Sequence, residues 1–195
     1  MGALKYFSLF IIVAFASLSA TISASVYRRY HSPEMQSVTN AIHTMYNKGY
    51  IAMSAFTVGM QDHLSEWSER YDVTGFTIFA PINSAFISDI SGNVVIPSDE
   101  KLYLHCSPAR YNSLFALRFK TEIPTVSHKY NLIVTSGLLD YDISICNVKI
   151  SSPPIYDDGY VIVYSIGQLF SFSSAKDIVA AYRNSSSYRV VHAEL

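Results

Sequence analysis

Histidine, cysteine and carboxylate side chains are where chemistry would sit in this chain, and their spacing limits what they can do. The six histidines, His31, His43, His63, His105, His128 and His192, are dispersed along 195 residues. A zinc site, or a base poised beside a nucleophile, is recognised in sequence by groups set a few residues apart. No His-Glu-x-x-His, Gly-x-Ser-x-Gly or phosphate-cradling glycine loop is present. A catalytic centre would have to be assembled from distant residues. Asp157 and Asp158 precede Gly159, but two acids at a turn fall well short of the roughly six or more oxygens that Ca²⁺ takes. A solvated turn is the better account, and no cofactor is implied. Cys106 and Cys146 either pair or stay as two buried thiols, because a bridge needs Cα atoms within about 7 Å and spacing along the chain does not decide that. Asn184-Ser185-Ser186 is the one N-x-S/T sequon, a glycosylation candidate in a polar segment.

Half of the residues are apolar and the formal net charge is −1, which suits one good-sized domain with an ample core. Acidic and basic residues are interspersed, so nothing marks the surface for nucleic acid or an anionic membrane. At the N-terminus Lys5 precedes an apolar run from Tyr6 to about Ala20 and then the small residues of SATISAS, the order of a secretory signal peptide. Cleavage is expected between Ser19 and Ser25. The competing reading, an uncut anchor, is disfavoured because an apolar run of about 15 residues is short of the roughly 20 that span a bilayer. No later stretch is of spanning length, and the polar end YRNSSSYRVVHAEL lacks the hydrophobic tail of a lipid-anchor signal. The mature chain is expected to be secreted, with 1–24 as signal peptide, 25–36 as a lead-in without periodicity, a domain over 37–172 and a polar tail over 173–195.

The elements that must hold these residues are legible in part. Val38, Ala41, Ile42, Met45 and Tyr46 fall at helical spacing, with Ser37 as candidate N-cap and Gly49 where the helix stops. A second helical segment runs from about Tyr50 to Phe56, and Met60, Leu64 and Trp67 continue its apolar spacing. Gly75 to Phe79 reads as a strand apolar on both faces, ended at Ala80-Pro81 because proline has no N–H for the ladder. Asn83 is the expected cap of a short helix whose Phe86 ring folds back over the strand. Ser98 caps a helix with Asp99 and Glu100 in its first turn, broken by Pro108. A short helical candidate at Tyr111–Leu117 follows. Strands are expected over 125–127, 131–135, 143–150 and 160–166, with turns at Pro153-Pro154 and Asp157-Asp158-Gly159. Helices gather early and strands late, so the class is α+β.

Three stretches resemble the boxes of a fasciclin-like domain across roughly Ser37 to Phe172. FTIFAPINSAF is similar to the first box, a strand, Ala-Pro and a helix ending in Ala-Phe; LHCSPARYNSLFAL is similar to the central segment; DDGYVIVYSIGQLF is similar to the last box. The motif residues are Phe79, Ala80, Pro81, Asn83, Phe86, His105, Pro108 and Gly159. The opening SVTNAIHTMYNKGYIAMSAF most resembles atypical plant members related to the fasciclin-like arabinogalactan proteins. Departures are specific: Leu104 stands where the family has tyrosine before His105, Ile82 replaces the usual threonine, and no run of alternating Ala-Pro, Ser-Pro or Thr-Pro exists to carry arabinogalactan chains.

The resemblance implies a fasciclin-like domain with helices packed on a sheet or sandwich wedge formed largely by the second half. It implies a non-enzymatic adhesion or matrix-binding module of the apoplast or cell wall, with an extracellular protein or cell-wall glycan as partner. A carrier with an apolar cavity beneath the strand-helix corner is the alternative, and a cryptic hydrolase a more distant one. His105 would orient a loop or satisfy a buried carbonyl. Fifteen tyrosines, among them Tyr27, Tyr30, Tyr111, Tyr130 and Tyr156 in expected loops, could supply a contact surface or pack down onto the domain.

Overall fold

The computed structural model describes residues 32–71, 73–87, 97–127, 129–136, 142–171, 177, 178, 180 and 181. The signal segment, Tyr27, Tyr30, His31, His128, Asn184 and His192 lie outside the described residues. The chain divides into two compact units, Met1–Gln36 and Ser37–Leu195. In the first, Ser32 Oγ accepts the Met35 N–H at 3.2 Å, so the first helix, α1 (Pro33–Asn47), starts ahead of the expected Ser37 cap. Its proline sits at the first helical position, where the missing N–H costs nothing.

In the second unit Val38, Ala41, Ile42 and Met45 turn inward, whereas Tyr46 is exposed. The helix ends as the sequence expects: Gly49 N bonds Tyr46 O at 3.0 Å and Tyr50 N bonds Met45 O at 2.9 Å, a Schellman closure. Helix α2 (Ile51–Tyr71) is one long element where the sequence suggests a short segment with a continuation. Two of its buried hydroxyls are satisfied within the helix, Ser54 Oγ donating to Ile51 O and Thr57 Oγ1 to Met53 O, both at 2.8 Å.

Strand β1 (Phe76–Pro81) is buried at every position. It pairs antiparallel with β2 (Cys106–Ser107) and parallel with β8 (Val161–Ile166), in register from Phe76↔Val161 to Pro81↔Ile166. The first and last boxes are therefore neighbours in one sheet. A short β7 (Tyr156–Asp157) completes the order β2-β1-β8-β7. Parallel neighbours covered on both faces read as continuous apolar runs rather than alternation, which is what FTIFA and VIVYSI do. Pro81 lacks a donor, and Ile82 N carries the ladder on to Ile166 O at 3.0 Å. Gly75 is required at the entry to β1, since a Cβ there would stand 2.4 Å from Tyr160 O.

The crossover between β1 and β8 holds the short helix α3 (Asp99–Tyr103), a 3-10 turn at Leu114–Ala116, the hairpin β3 (Glu122–Ile123) with β4 (Leu132–Ile133), and the hairpin β5 (Ser144–Ile145) with β6 (Val148–Lys149). Ser98 holds the cap position of α3, but its side chain makes no cap bond. Residues 143–150, expected as one strand, fold back on themselves through Cys146 and Asn147, at φ +49° and +62°. A two-residue turn with both central residues at positive φ matches the twist of a hairpin. Thr125, Val126 and Ser127 are buried without forming a strand.

One face of β1 and β8, through Phe79, Ile162, Tyr164 and Ile166, packs on the hairpins in a single cluster with Leu104, Leu132, Ile145 and Phe170. Burying each such side chain contributes about 1.5–3 kcal/mol. The opposite face meets the helical side, where Tyr50 OH donates to Ser165 Oγ at 2.8 Å. The architecture is α+β, with helices in the N-terminal half and the hairpins in the second. Ile178, beyond the expected end of the domain, also packs on the cluster.

Candidate functional site

Of the motif residues, Phe79 meets His105, which is fully buried. Its ring lies just after α3 at the entry to β2, and each polar atom has a fixed partner. Nδ1 lies 3.0 Å from Lys101 O and Nε2 lies 2.9 Å from Phe170 N. A carbonyl only accepts and an amide N–H only donates, so Nδ1 carries the proton and donates while Nε2 accepts. The His105 carbonyl accepts the Phe79 N–H at 2.8 Å. Phe170 stacks on the imidazole, centroids 5.0 Å apart, and meets the Phe79 ring edge-on at 5.5 Å. One residue thus ties the first box, the central segment and the last box together.

Burial lowers the His105 pKa to about 4, against hydrogen bonds from the backbone of Lys101 and Leu102 that raise it; the Lys101 charge lowers it further. The imidazole stays neutral and sealed from solvent, with both ring nitrogens engaged by backbone. Cys106 follows directly, and burial pushes its thiol up to about 12, so it is a packed thiol rather than a thiolate. Cys146 is likewise buried, its acidity weakened first by burial, and its Sγ accepts the Ile133 N–H at 3.4 Å. Both thiols are free: Cys106 is held beside Ile78 in the central sheet, and Cys146 forms the tip of the β5–β6 hairpin. Leu104, in place of the family's tyrosine, is fully buried in the cluster, so apolar packing occupies that position.

Asn83 does something other than the sequence suggests. The turn Asn83–Phe86 is a single 3-10 turn with Ile82 at its cap position and no side-chain cap bond. Asn83 instead reaches across to α2, its Oδ1 accepting the Ala52 N–H at 3.2 Å and its Nδ2 donating to Gly49 O at 2.7 Å. It caps the helix before the strand, not the one after it. Phe86, expected to fold back over β1, packs against Phe56 of α2, centroids 5.5 Å apart. After Pro108 the chain is pinned by Thr77, whose Oγ1 donates to Ala109 O at 2.7 Å and accepts the Tyr111 N–H at 2.9 Å.

The acidic turn is closed on itself. Asp158 Oδ1 accepts the N–H groups of Tyr160 and Val161, and its Oδ2 accepts the Tyr156 hydroxyl. Burial works against its charge, but bonds from Tyr156, Val161, Tyr160 and Ser37 hold its carboxyl below the ordinary range. Asp157 takes a two-pronged bond from Arg110 Nη2 at 2.7 and 2.9 Å and the Gly159 N–H at 3.0 Å; Gly159 itself sits at φ +93°. Among the described residues no group of three or more His, Cys, Asp or Glu could hold a metal ion. His43 and His63 are exposed on different helices, and the His63 ring lies tilted against Tyr103, centroids 4.8 Å apart.

Two clefts are bounded by described residues. One of about 140 Å³ lies between α2 and α3, lined by Ala55, Phe56, Met60, Leu102 and Tyr103; the other, about 80 Å³, opens beside Phe115. The loop tyrosines pack down: Tyr111 and Tyr130 lie against the core cluster, and Tyr156 is held by Asp158. The sequence reading missed the exposed rings Phe115 (56% exposed) and Phe119 (37%). A signal existed, because Leu114 and Leu117 turn inward three residues apart and leave Phe115 outward.

No protein-family model matches the chain. Over 142 residues it is 31% identical to a putative fasciclin-like arabinogalactan protein 20 of Arabidopsis thaliana, a stretch covering 70% of this chain and 31% of that protein. The chain thus spans about a third of the relative's length. This relative bears out the resemblance to fasciclin-like proteins read from the three boxes. Among the described residues no helix is long and apolar enough to cross a membrane.

Proposed function

From its similarity to a fasciclin-like arabinogalactan protein, we propose that this chain is a secreted, non-enzymatic adhesion module that binds an extracellular protein or a cell-wall glycan. The observation that carries the reading is the internal commitment of the three boxes. Phe79, His105 and Phe170 use their polar atoms and rings on one another, so recognition falls to the outer face. Residues 1–24 act as the signal peptide in this reading, 37–172 form the fasciclin-like domain, and Asn184 is the glycosylation position on the secretory route. The carrier alternative would use a pocket of roughly 300 Å³ or more, larger than either of the clefts among the described residues given above, of about 80 and 140 Å³. A hydrolase would use an activated nucleophile in a cleft, whereas the His105 imidazole has both nitrogens engaged by backbone.

The test is capture from native cell-wall extract by the mature protein, with the Phe79→Ala variant as the misfolded control. Selective retention of a wall protein or polysaccharide is the expected result. Retention equal to that of the control, or a fluorescent fusion confined to the cytosol, would sink the reading.

A further inference from the structure

The cleft beside Phe115 sets an exposed ring next to polar side chains that make no hydrogen bond to the described residues. The 3-10 turn Leu114–Ala116 turns Leu114 into the core and leaves the Phe115 ring at the mouth of the cleft, 56% exposed. Ile143 and Ile150 form an apolar floor, and Asn112, Ser113 and Ser152 stand around it. Ser113 occupies the cap position of the turn, yet its hydroxyl makes no cap bond. The side chains of Asn112 and Ser152 likewise make no hydrogen bond to the described residues. By contrast the Tyr164 hydroxyl at the inner wall is already committed to Tyr111 O at 3.0 Å.

That combination selects a chemical class. An apolar face flanked by small donors and acceptors matches a sugar ring, which carries C–H groups on its faces and hydroxyls at its edge. No side chain lining the cleft carries a charge at neutral pH, so nothing there balances the carboxylate of a uronate. A proline-rich peptide would want a row of aromatic rims and carbonyl-directed donors, and the cleft offers one exposed ring, since Tyr164 is buried. We propose that the Phe115 cleft binds one residue of a neutral polysaccharide, the ring stacking on the sugar's C–H face while Asn112, Ser113 and Ser152 bond its hydroxyls. The inner hollow of about 80 Å³ admits a substituent such as a hydroxymethyl group rather than a whole sugar. Such a shallow site binds weakly and gains from the repeated units of a polymer.

This inference rests on the extracellular-matrix reading above, and affinity electrophoresis of the secreted full chain separates the two. The gels contain a soluble neutral β-galactan, a soluble neutral β-glucan, polygalacturonate or no polymer. Retardation by at least one neutral polymer and not by polygalacturonate is expected. Phe115→Ala should weaken that retardation about ten-fold, the scale of one lost stacking contact. Asn112→Ala and Ser152→Ala should each weaken it about three-fold, the scale of one net hydrogen bond. Phe119→Ala, an exposed ring that does not line the cleft, should leave it unchanged. Unaltered thermal midpoints would establish that the variants are folded. Retardation by polygalacturonate alone, retardation by none of the polymers, or equal retardation of the parent and Phe115→Ala overturns the site. If Phe115→Ala still captures wall material as the parent does, the site fails and the matrix reading stands; if the parent captures nothing, both fail.

Discussion

The His105 hub and the Phe115 cleft lie in the same crossover, yet they treat polar groups in opposite ways. At the hub each nitrogen of a buried imidazole is matched to a backbone group, as a buried polar group must be to avoid a desolvation penalty of about 1–3 kcal/mol. At the cleft the side chains of Asn112, Ser113 and Ser152 make no hydrogen bond to the described residues, beside an exposed ring. The difference teaches that the residues by which this chain resembles fasciclin-like proteins are the ones it uses to hold itself together.

The largest effect should come from removing the ring at the centre of the hub. Phe79→Ala leaves a void between Phe170 and Tyr164 and should cost roughly 3–5 kcal/mol, read as a fall in the urea midpoint and in secreted yield. Normal stability would mean that the hub is not what joins the three boxes. Next is the effect of acid. His105 is neutral in the folded chain down to about pH 4, whereas in the unfolded chain it takes up a proton below about 6.5. The unfolded state therefore binds more protons between those values, so stability is complete above pH 6.5 and is lost as pH falls towards 4. The slope from this one buried group approaches about 1.4 kcal/mol per pH unit. Asp158, held below its ordinary range, contributes only at lower pH and so does not obscure the window. Urea melts from pH 7.5 to 4.5 should show this fall in the parent and a shallower one in His105→Gln; a flat profile in the parent would contradict a sealed imidazole.

Asn83→Ala probes the link between the strand-helix corner and α2. Losing a helix cap costs about 1 kcal/mol, and hydrogen exchange should quicken at Ala52 and its neighbours in the first turn of α2. If protection is lost only within residues 83–86, the cross-element bond is not formed in solution. The smallest effect belongs to the cleft: Phe115→Ala should change stability by less than about 0.5 kcal/mol, because its ring is more exposed than buried. A loss comparable with that of Phe79→Ala would erase the contrast between the two regions.

Much of the architecture was legible in residue order. The α1 stripe from Val38 to Met45 and the Gly49 stop follow from helical periodicity and from the turn that glycine closes. The expected stop at Ala80-Pro81 comes too early, because β1 keeps both residues in register with Ser165 and Ile166 and Ile82 N carries the ladder past the missing donor. The hairpin at Cys146-Asn147 was not legible, because a cysteine at positive φ gives no turn signal and the flanking residues carry an unbroken strand-like pattern. Asn83 was misassigned for a related reason: a capping side chain advertises that a helix end lies near, but not which one.

Composition and the three boxes, read alone, determined the α+β class, the apolar runs that become β1 and β8, and the likeness to fasciclin-like proteins, because periodicity, proline and glycine act through local backbone geometry. The tertiary structure alone decided that β1 and β8 lie side by side, that His105 is deprotonated at Nε2 and that Phe115 stands outside. Those outcomes depend on which distant groups meet and on what is left over when the buried ones have been matched, and chain order does not encode either directly.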